Sequence, residues 1–292
     1  MKWLCLLFTG ILLAQDAAKF PLPPPDAPEP PVEFVCPMDP DIRSKGPGKC
    51  SRCGMALVAG IPEQVEYPVE LKVTPKLLRP GEKMEVAFHV LDPKSRRPVT
   101  EFEVVHEKLY HMFIVSQDLQ YFVHDHPVLG PDSVFRYQAQ LPKPGMYRVL
   151  SDFYPKGSIP QLIASTLIVP GAPITAGAQL TPDIAPKTGE NMNASLTMEP
   201  AQPIAGMKTL MFFKLDPGDG MEKYLGAWGH MMAASGDLVD MIHTHPFLAD
   251  GGPNVQFNMI FPRPGVYRVW VQFQRKGVVN TFAFNIPVSE LK

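Results

Sequence analysis

From residue 67 onward the chain is a succession of short runs in which apolar and polar positions alternate, cut by Pro and Gly. Such runs fall at Glu70–Val73, Met84–Val90, Phe102–Val105, His111–Ser116, Tyr121–His126, Phe135–Leu141, Met146–Phe153 and Leu162–Val169. Alternation places every second side chain on one face, so each run predicts a strand with one face toward a core. No stretch keeps the 3.6-residue period of an amphipathic helix. Many short strands separated by turn residues predict an all-β sandwich.

The pattern then runs a second time. His111-Met112 and His124-Asp125-His126-Pro127 return as His230-Met231 and His243-Thr244-His245-Pro246, each displaced by 119 residues (111 to 230, 124 to 243). Ser116, Asp118 and Leu119 return as Ser235, Asp237 and Leu238 at the same displacement. Pro142-Lys143-Pro144-Gly145-Met146-Tyr147-Arg148 returns as Pro262-Arg263-Pro264-Gly265-Val266-Tyr267-Arg268, now displaced by 120 (142 to 262). So many ordered matches mark two copies of one domain, predicted at 67–170 and 188–290 with a Pro/Ala/Gly/Thr-rich linker at 171–187. The Pro-Gly-x-Tyr-Arg element belongs to the fold: a turn followed by a tyrosine that anchors the corner through its hydroxyl. Two tandem Ig-like or cupredoxin-like sandwiches are therefore expected.

The N-terminal third of the first hundred residues differs. Lys2 precedes an apolar run from Trp3 to Ala14 and polar Gln15-Asp16, the proportions of a signal peptide over residues 1–18. The run is too short for a spanning helix, which needs roughly 20 residues, so no membrane span is expected after its removal. Cys5 leaves with it. A proline-dominated linker, 19–33, follows. Net charge is −2, with 27 basic and 29 acidic residues, which excludes the electrostatic footprint of a nucleic-acid binder. The 34 prolines suit strand edges and linkers rather than helices.

The remaining cysteines, Cys36, Cys50 and Cys53, all fall in a module at 34–58. Three is an odd number, which in an exported chain argues for a metal site or reactive thiols rather than a closed disulfide framework. Cys50-Ser51-Arg52-Cys53-Gly54 aims two thiolates at one point, and Gly54 relieves strain in the turn. Cys36 supplies the third sulfur, with Met38 or Met55 as a thioether neighbour, a set that suits Cu(I), Ag(I) or Zn(II). A redox pair with a spare thiol is the alternative. The pattern Cys36-Pro37-Met38 followed by Gly48-x-Cys50-x-x-Cys53-Gly54-Met55-x-Leu57 resembles the short heavy-metal-binding domain of copper and silver efflux adaptors and of some copper-transporting P-type ATPases. Members usually carry His after Cys-Pro-Met. Here the residue is Asp39, a hard carboxylate, which leaves the fourth ligand open.

Seven of the eight histidines lie in the two repeated segments. On a strand His124 and His126 share a face, about 7 Å apart, while Asp125 points away. A hairpin loop of two residues pairs His111 with His124, and one of four pairs it with His126. Either brings three imidazoles to one face, whereas a three-residue loop opposes His111 to Asp125. The same holds for His230, His243 and His245. Imidazole suits copper, zinc, nickel or iron. His106 and Glu107 lie upstream in copy one, where copy two has Leu225 and Gly226, so the first site is expected to have the richer ligand set. Met112 and Met231 point to the other face and are expected in the core. The alternative is that these histidines satisfy hydrogen bonds or pack between the domains. These segments resemble secreted bacterial proteins with tandem β-sandwich domains that carry His-Glu-Lys-x-x-His and His-x-His-Pro stretches.

The expected function is an exported heavy-metal protein, with copper first and zinc or silver possible, that sequesters the ion or delivers it to an efflux system component. A periplasmic or secreted location follows from the leader. A cell-envelope interaction protein and a metal-dependent redox protein are the alternatives. A cupredoxin needs His₂Cys and an axial Met on one sandwich, and neither sandwich has a cysteine. An enzyme would pair a three-His centre with a base such as Glu107. No Ser/His/Asp, phosphate-loop or carboxylate-pair motif supports it, so no catalysis is expected.

Overall fold

The computed structural model describes residues 34–39, 42–60, 65–173, 175 and 177–291. The leader (1–18) and the whole of the first linker (19–33) lie outside the described residues. Among those described, all regular structure is β, and no helix is long and apolar enough to cross a membrane.

The cysteine module is a three-stranded antiparallel sheet of β1 (Phe34–Val35), β2 (Arg43–Ser44) and β3 (Val58–Ala59), with β1 in the middle. The first sandwich has eight strands. β4 (Val69–Thr74), β5 (Lys83–Val90), β8 (Val128–Leu129) and β9 (Phe135–Gln140) form one sheet in the order β4-β5-β9-β8. β6 (Tyr110–Ser116), β7 (Phe122–Asp125), β10 (Gly145–Phe153) and β11 (Gln161–Val169) form the other, β11-β10-β6-β7. The second sandwich has nine: β12 (Lys187–Thr188), β13 (Asn193–Glu199), β14 (Lys208–Asp216) and β18 (Asn254–Ile260) in one sheet. Facing them are β15 (Met221–Glu222), β16 (His230–Ser235), β17 (Met241–Thr244), β19 (Gly265–Arg275) and β20 (Val278–Val288), with β19 between β16 and β20.

Each sandwich has its own core, around Phe88, Tyr110, Phe135 and Val149 in the first and Phe213, Phe257, Val271 and Phe284 in the second. Met112 and Met231 are in these cores, fully buried. Tyr147 and Tyr267 turn their hydroxyls back onto the Lys143 and Arg263 backbones, 2.7 and 3.2 Å from the carbonyl oxygens. The Phe102–Val105 run is not a strand. Phe102 makes one bridge, to Pro155, and Val105 closes a tight turn on Lys108.

What the alternation does not announce is that β6 and β16 are buried on both faces. Their outer faces meet. Phe113, Val115, Leu119 and Leu150 pack with Met232, Ala234, Leu238, Met241 and Trp270 in a third apolar cluster. Phe113 and Met232, Val115 and Ala234, and Leu119 and Leu238 are repeat equivalents, so the two sheets join through matching positions, as in a two-fold interface. Phe122 stacks on Trp270 with ring centroids 4.7 Å apart and planes 10° from parallel.

Trp270→Ala would remove the largest side chain of this contact, costing about 3–5 kcal/mol. Calorimetry should then resolve two unfolding transitions where the unaltered chain shows one. A single, unshifted transition would mean that the sandwiches are not coupled through this face.

Candidate metal centres

The module's knuckle is built as its sequence requires. Gly54 has φ +77°, a left-handed conformation open to glycine, and its amide closes the turn on the Cys50 carbonyl at 2.9 Å. The Arg52 amide donates to Cys50 Sγ (3.4 Å) and the Asp39 amide to Cys36 Sγ (3.3 Å), placing positive N–H dipoles against sulfur. All three thiols are free. Cys36 and Cys53 sulfurs lie 3.5 Å apart, unlinked, close to the roughly 3.8 Å expected of two thiolates sharing one tetrahedral ion. Asp39 Oδ2 is 3.4 Å from Cys50 Sγ and 3.8 Å from Cys36 Sγ, so one carboxylate oxygen lies beside two of the sulfurs. One donor atom from each of Cys36, Asp39, Cys50 and Cys53 lies within 4.8 Å of the others. Burial raises the Cys36 and Cys53 thiols above their ordinary value, so metal binding here releases protons. Met38 packs on the cysteine cluster, whereas Met55 is buried outside it.

In both hairpins the loop has four residues, and the structural reason is in the repeat itself. Ser116 Oγ bonds Asp118 and accepts the Tyr121 amide, while Leu119 takes φ +56°. Ser235, Asp237, Asp240 and Leu238 repeat this, again with φ +56°. β6 and β7 therefore pair Phe113 with His124 and Met112 with Asp125, which sets His111 opposite His126. β16 and β17 pair Met232 with His243 and Met231 with Thr244, which sets His230 opposite His245. Each triad places one donor nitrogen per ring within 4.8 Å of the others.

The hydrogen bonds fix which nitrogens hold protons. His111 Nε2 donates to the Val105 carbonyl at 3.0 Å, so its Nδ1 carries a lone pair. His124 Nδ1 donates to Gln272 Oε1 at 2.7 Å, and Gln272 Nε2 in turn donates to Thr281, which leaves a lone pair on His124 Nε2. These two lone pairs face each other at 3.2 Å, and His126 Nε2 lies 3.2 Å from the same Nδ1. Two acceptors at this distance repel unless a cation lies between them. Burial, followed by neighbouring imidazoles, holds His111 and His126 at about 4 and His124 at about 2, so a proton is disfavoured in that role. A metal ion bound at 2.0–2.1 Å would set its tetrahedral ligands about 3.3 Å apart, which fits.

The second triad follows the same rule. His230 Nε2 donates to the Tyr224 carbonyl at 2.9 Å, and its Nδ1 lies 3.1 Å from His245 Nε2. His243 Nδ1 donates to Asp152 Oδ2 at 2.5 Å, leaving its Nε2 buried without a hydrogen-bond partner. Burial drives His230 and His245 well below their ordinary value. Burial would raise the Asp152 carboxyl, but the His243 bond and nearby imidazoles bring it below normal. Histidines whose second nitrogen is held by a carbonyl, amide or carboxylate are arranged as metal ligands are.

Gln272 and Asp152 are repeat equivalents, and each supports a histidine of the other sandwich. His106 also crosses over: its ring centroid is 3.8 Å from that of His245 but 6.4 Å from that of His111. His106 thus lies nearer the second triad than to His111, while each triad brings together three histidines. Neither crossing was visible in the spacing, because both arise from the packing of one sheet on the other.

Residues 63–167 and again 187–290 match the family described as domain of unknown function (DUF8832), together more than half of the chain. The protein belongs to the DUF8832 family. Ahead of its two DUF8832 domains, residues 34–59 match the heavy metal binding domain. No curated protein matches the chain. Among solved structures it is similar to the Escherichia coli adhesin FdeC, at 12% identity over 80% of this chain and 67% of that one, with TM-score 0.27. A two-domain fibronectin type-III segment of chicken tenascin is 11% identical over 76% of this chain and 99% of that one, TM-score 0.22. The fibronectin(III)-like modules of Clostridium thermocellum CbhA are 7% identical over 76% and 95%, TM-score 0.20.

Two outcomes follow from this geometry. In the metal-free DUF8832 pair, His106, His111 and His126 titrate at about 4 when folded and at 6.5 when unfolded. A depressed folded value means that their contribution is whole above pH 6.5 and is lost as the pH falls through about 4. The melting temperature of metal-free protein should therefore drop across that window, and a flat profile would contradict the buried neutral triads. Separately, His106 and Glu107 form a turn with φ +47° and +66°, where copy two has Leu225 and Gly226 at +50° and +75°. Glu107→Gly should relieve about 1 kcal/mol of backbone strain in urea unfolding. Destabilisation instead would show that the glutamate side chain outweighs the strain.

Proposed function

We propose that the protein is an exported copper handler that takes up Cu(I) at the cysteine module and sequesters it or hands it to an efflux component. One observation carries the reading. In a segment that matches the heavy metal binding domain, three free thiols and Asp39 converge within 4.8 Å of one another. Soft thiolates favour Cu(I), and Ag(I) as its mimic, over harder divalent ions. Asp39 Oδ1 is already held by Arg52 at 2.9 Å, which draws its charge away from the sulfurs and favours the three-thiolate option. Zn(II) is the competitor, since Asp39 Oδ2 is placed to complete a tetrahedron. The leader-like Lys2 and Trp3–Ala14 support export to the periplasm or beyond. The histidine triads add borderline nitrogen sites suited to copper or zinc.

Converting Cys50 and Cys53 together to Ser should lower Cu(I) stoichiometry by one ion per chain in native mass spectrometry. It should also remove sulfur from the copper X-ray absorption shell. Unchanged stoichiometry with a sulfur-containing shell would defeat the proposal. Zn(II) retained against a Cu(I) challenge would change the metal.

A further inference from the structure

The cysteine module and the second histidine triad open onto one cavity. Its volume is 570 Å³, and its wall carries Asp39 and Cys53 from the module, His106 and Asp152 from the first sandwich, and His243 and His245 from the second. None of His111, His124 and His126 is part of that wall. The module meets the second sandwich there: Arg52, paired with Asp39, lies 5.6 Å over the Phe247 ring. Cys53 is the least buried of the three cysteines and the one that reaches the cavity. On the far side the buried His243 Nε2 has no partner. In the same wall His106 lies 3.8 Å from His245 by ring centroid, on a turn whose equivalent in copy two, Leu225, offers no donor.

We propose that Cu(I) passes directly between the cysteine module and the second histidine triad across this cavity, with His106 as the intermediate donor. This rests on reading the module as a copper site. The step is ligand exchange at constant oxidation state. A nitrogen–copper bond forms as a sulfur–copper bond breaks, no electron is transferred, and each thiolate released takes a proton from water. On the receiving side His230 Nδ1 already holds a lone pair, because His230 Nε2 donates to the Tyr224 carbonyl. Since the cavity has protein donors on both walls, the ion need not be released to bulk solvent.

The test uses the full chain without oxygen, with Cu(I) supplied as its coloured bathocuproine disulfonate complex. Module loading is read from thiolate-to-copper absorption, and filling of the second triad from the imidazole ¹⁵N resonances of His243 and His245. In the unaltered protein the second triad should fill in step with the module. Cys53→Ser, which keeps Cys36 and Cys50 in place, should slow that filling at least tenfold while leaving the final occupancy the same. His106→Ala should slow it without changing the rate of module loading. Equal filling rates in all three proteins would overturn the transfer. So would a second triad that stays empty beside a loaded module, and that result would leave the copper reading of the module standing. Absence of thiolate–copper absorption in the unaltered protein would overturn both.

Discussion

The histidine centres depend on the length of two hairpin loops. A strand alternates its faces, so a loop one residue shorter between β6 and β7 would oppose His111 to Asp125 and scatter the donors. The four-residue loop is held by its own chemistry: a serine hydroxyl spanning the loop, an aspartate accepting from that hydroxyl, and a leucine in a left-handed conformation. The left-handed backbone at Leu119 and Leu238 is unfavourable for a γ-branched side chain, and full burial of both leucines in the inter-sandwich cluster offsets it. The same side chains therefore set the register and seat the loop against the other domain.

Two sheets packed through equivalent residues leave the hairpins back to back. This gives each triad a wall that its own sandwich lacks. Carbonyls from the tight turns at Val105 and Tyr224 orient one histidine per triad from within, and Gln272 and Asp152 orient another from across the interface. The exchange is symmetric in position and asymmetric in charge. A neutral amide supports His124 and a carboxylate supports His243, each through Nδ1. His106 leans on His245 of the second triad, its ring centroid 3.8 Å away.

Much of this was legible in the sequence, because alternation, repeats and turn residues are local properties. The strand at His111–Ser116 and the two-copy organisation followed from counting positions, which left the hairpin loop open at two, three or four residues. The knuckle followed from the spacing of Cys50, Cys53 and Gly54. The face-to-face contact was not read, although a signal was present: Met-Phe-Ile-Val at 112–115 has no polar position to point outward, as in a strand covered on both sides. Sequence distance places His106 with His111, while the packing of the second sheet brings His245 closer. Asp152 and Gln272 carried no motif and acquire their role only from the fold. Asp39 stood out as a departure, and its place among the sulfurs required coordinates.

The self-matching interface has a consequence for how such a protein diverges. Two separate identical chains meeting through this face would form a closed two-fold dimer, in which every substitution appears at both sites together. Joining the copies in one polypeptide lifts that constraint. A carboxylate can then stand at 152 and an amide at 272, or an imidazole at 106 and an aliphatic side chain at 225, without the partner site changing. Covalent linkage thus turns a pair of equal sites into two unequal ones and gives the molecule a direction.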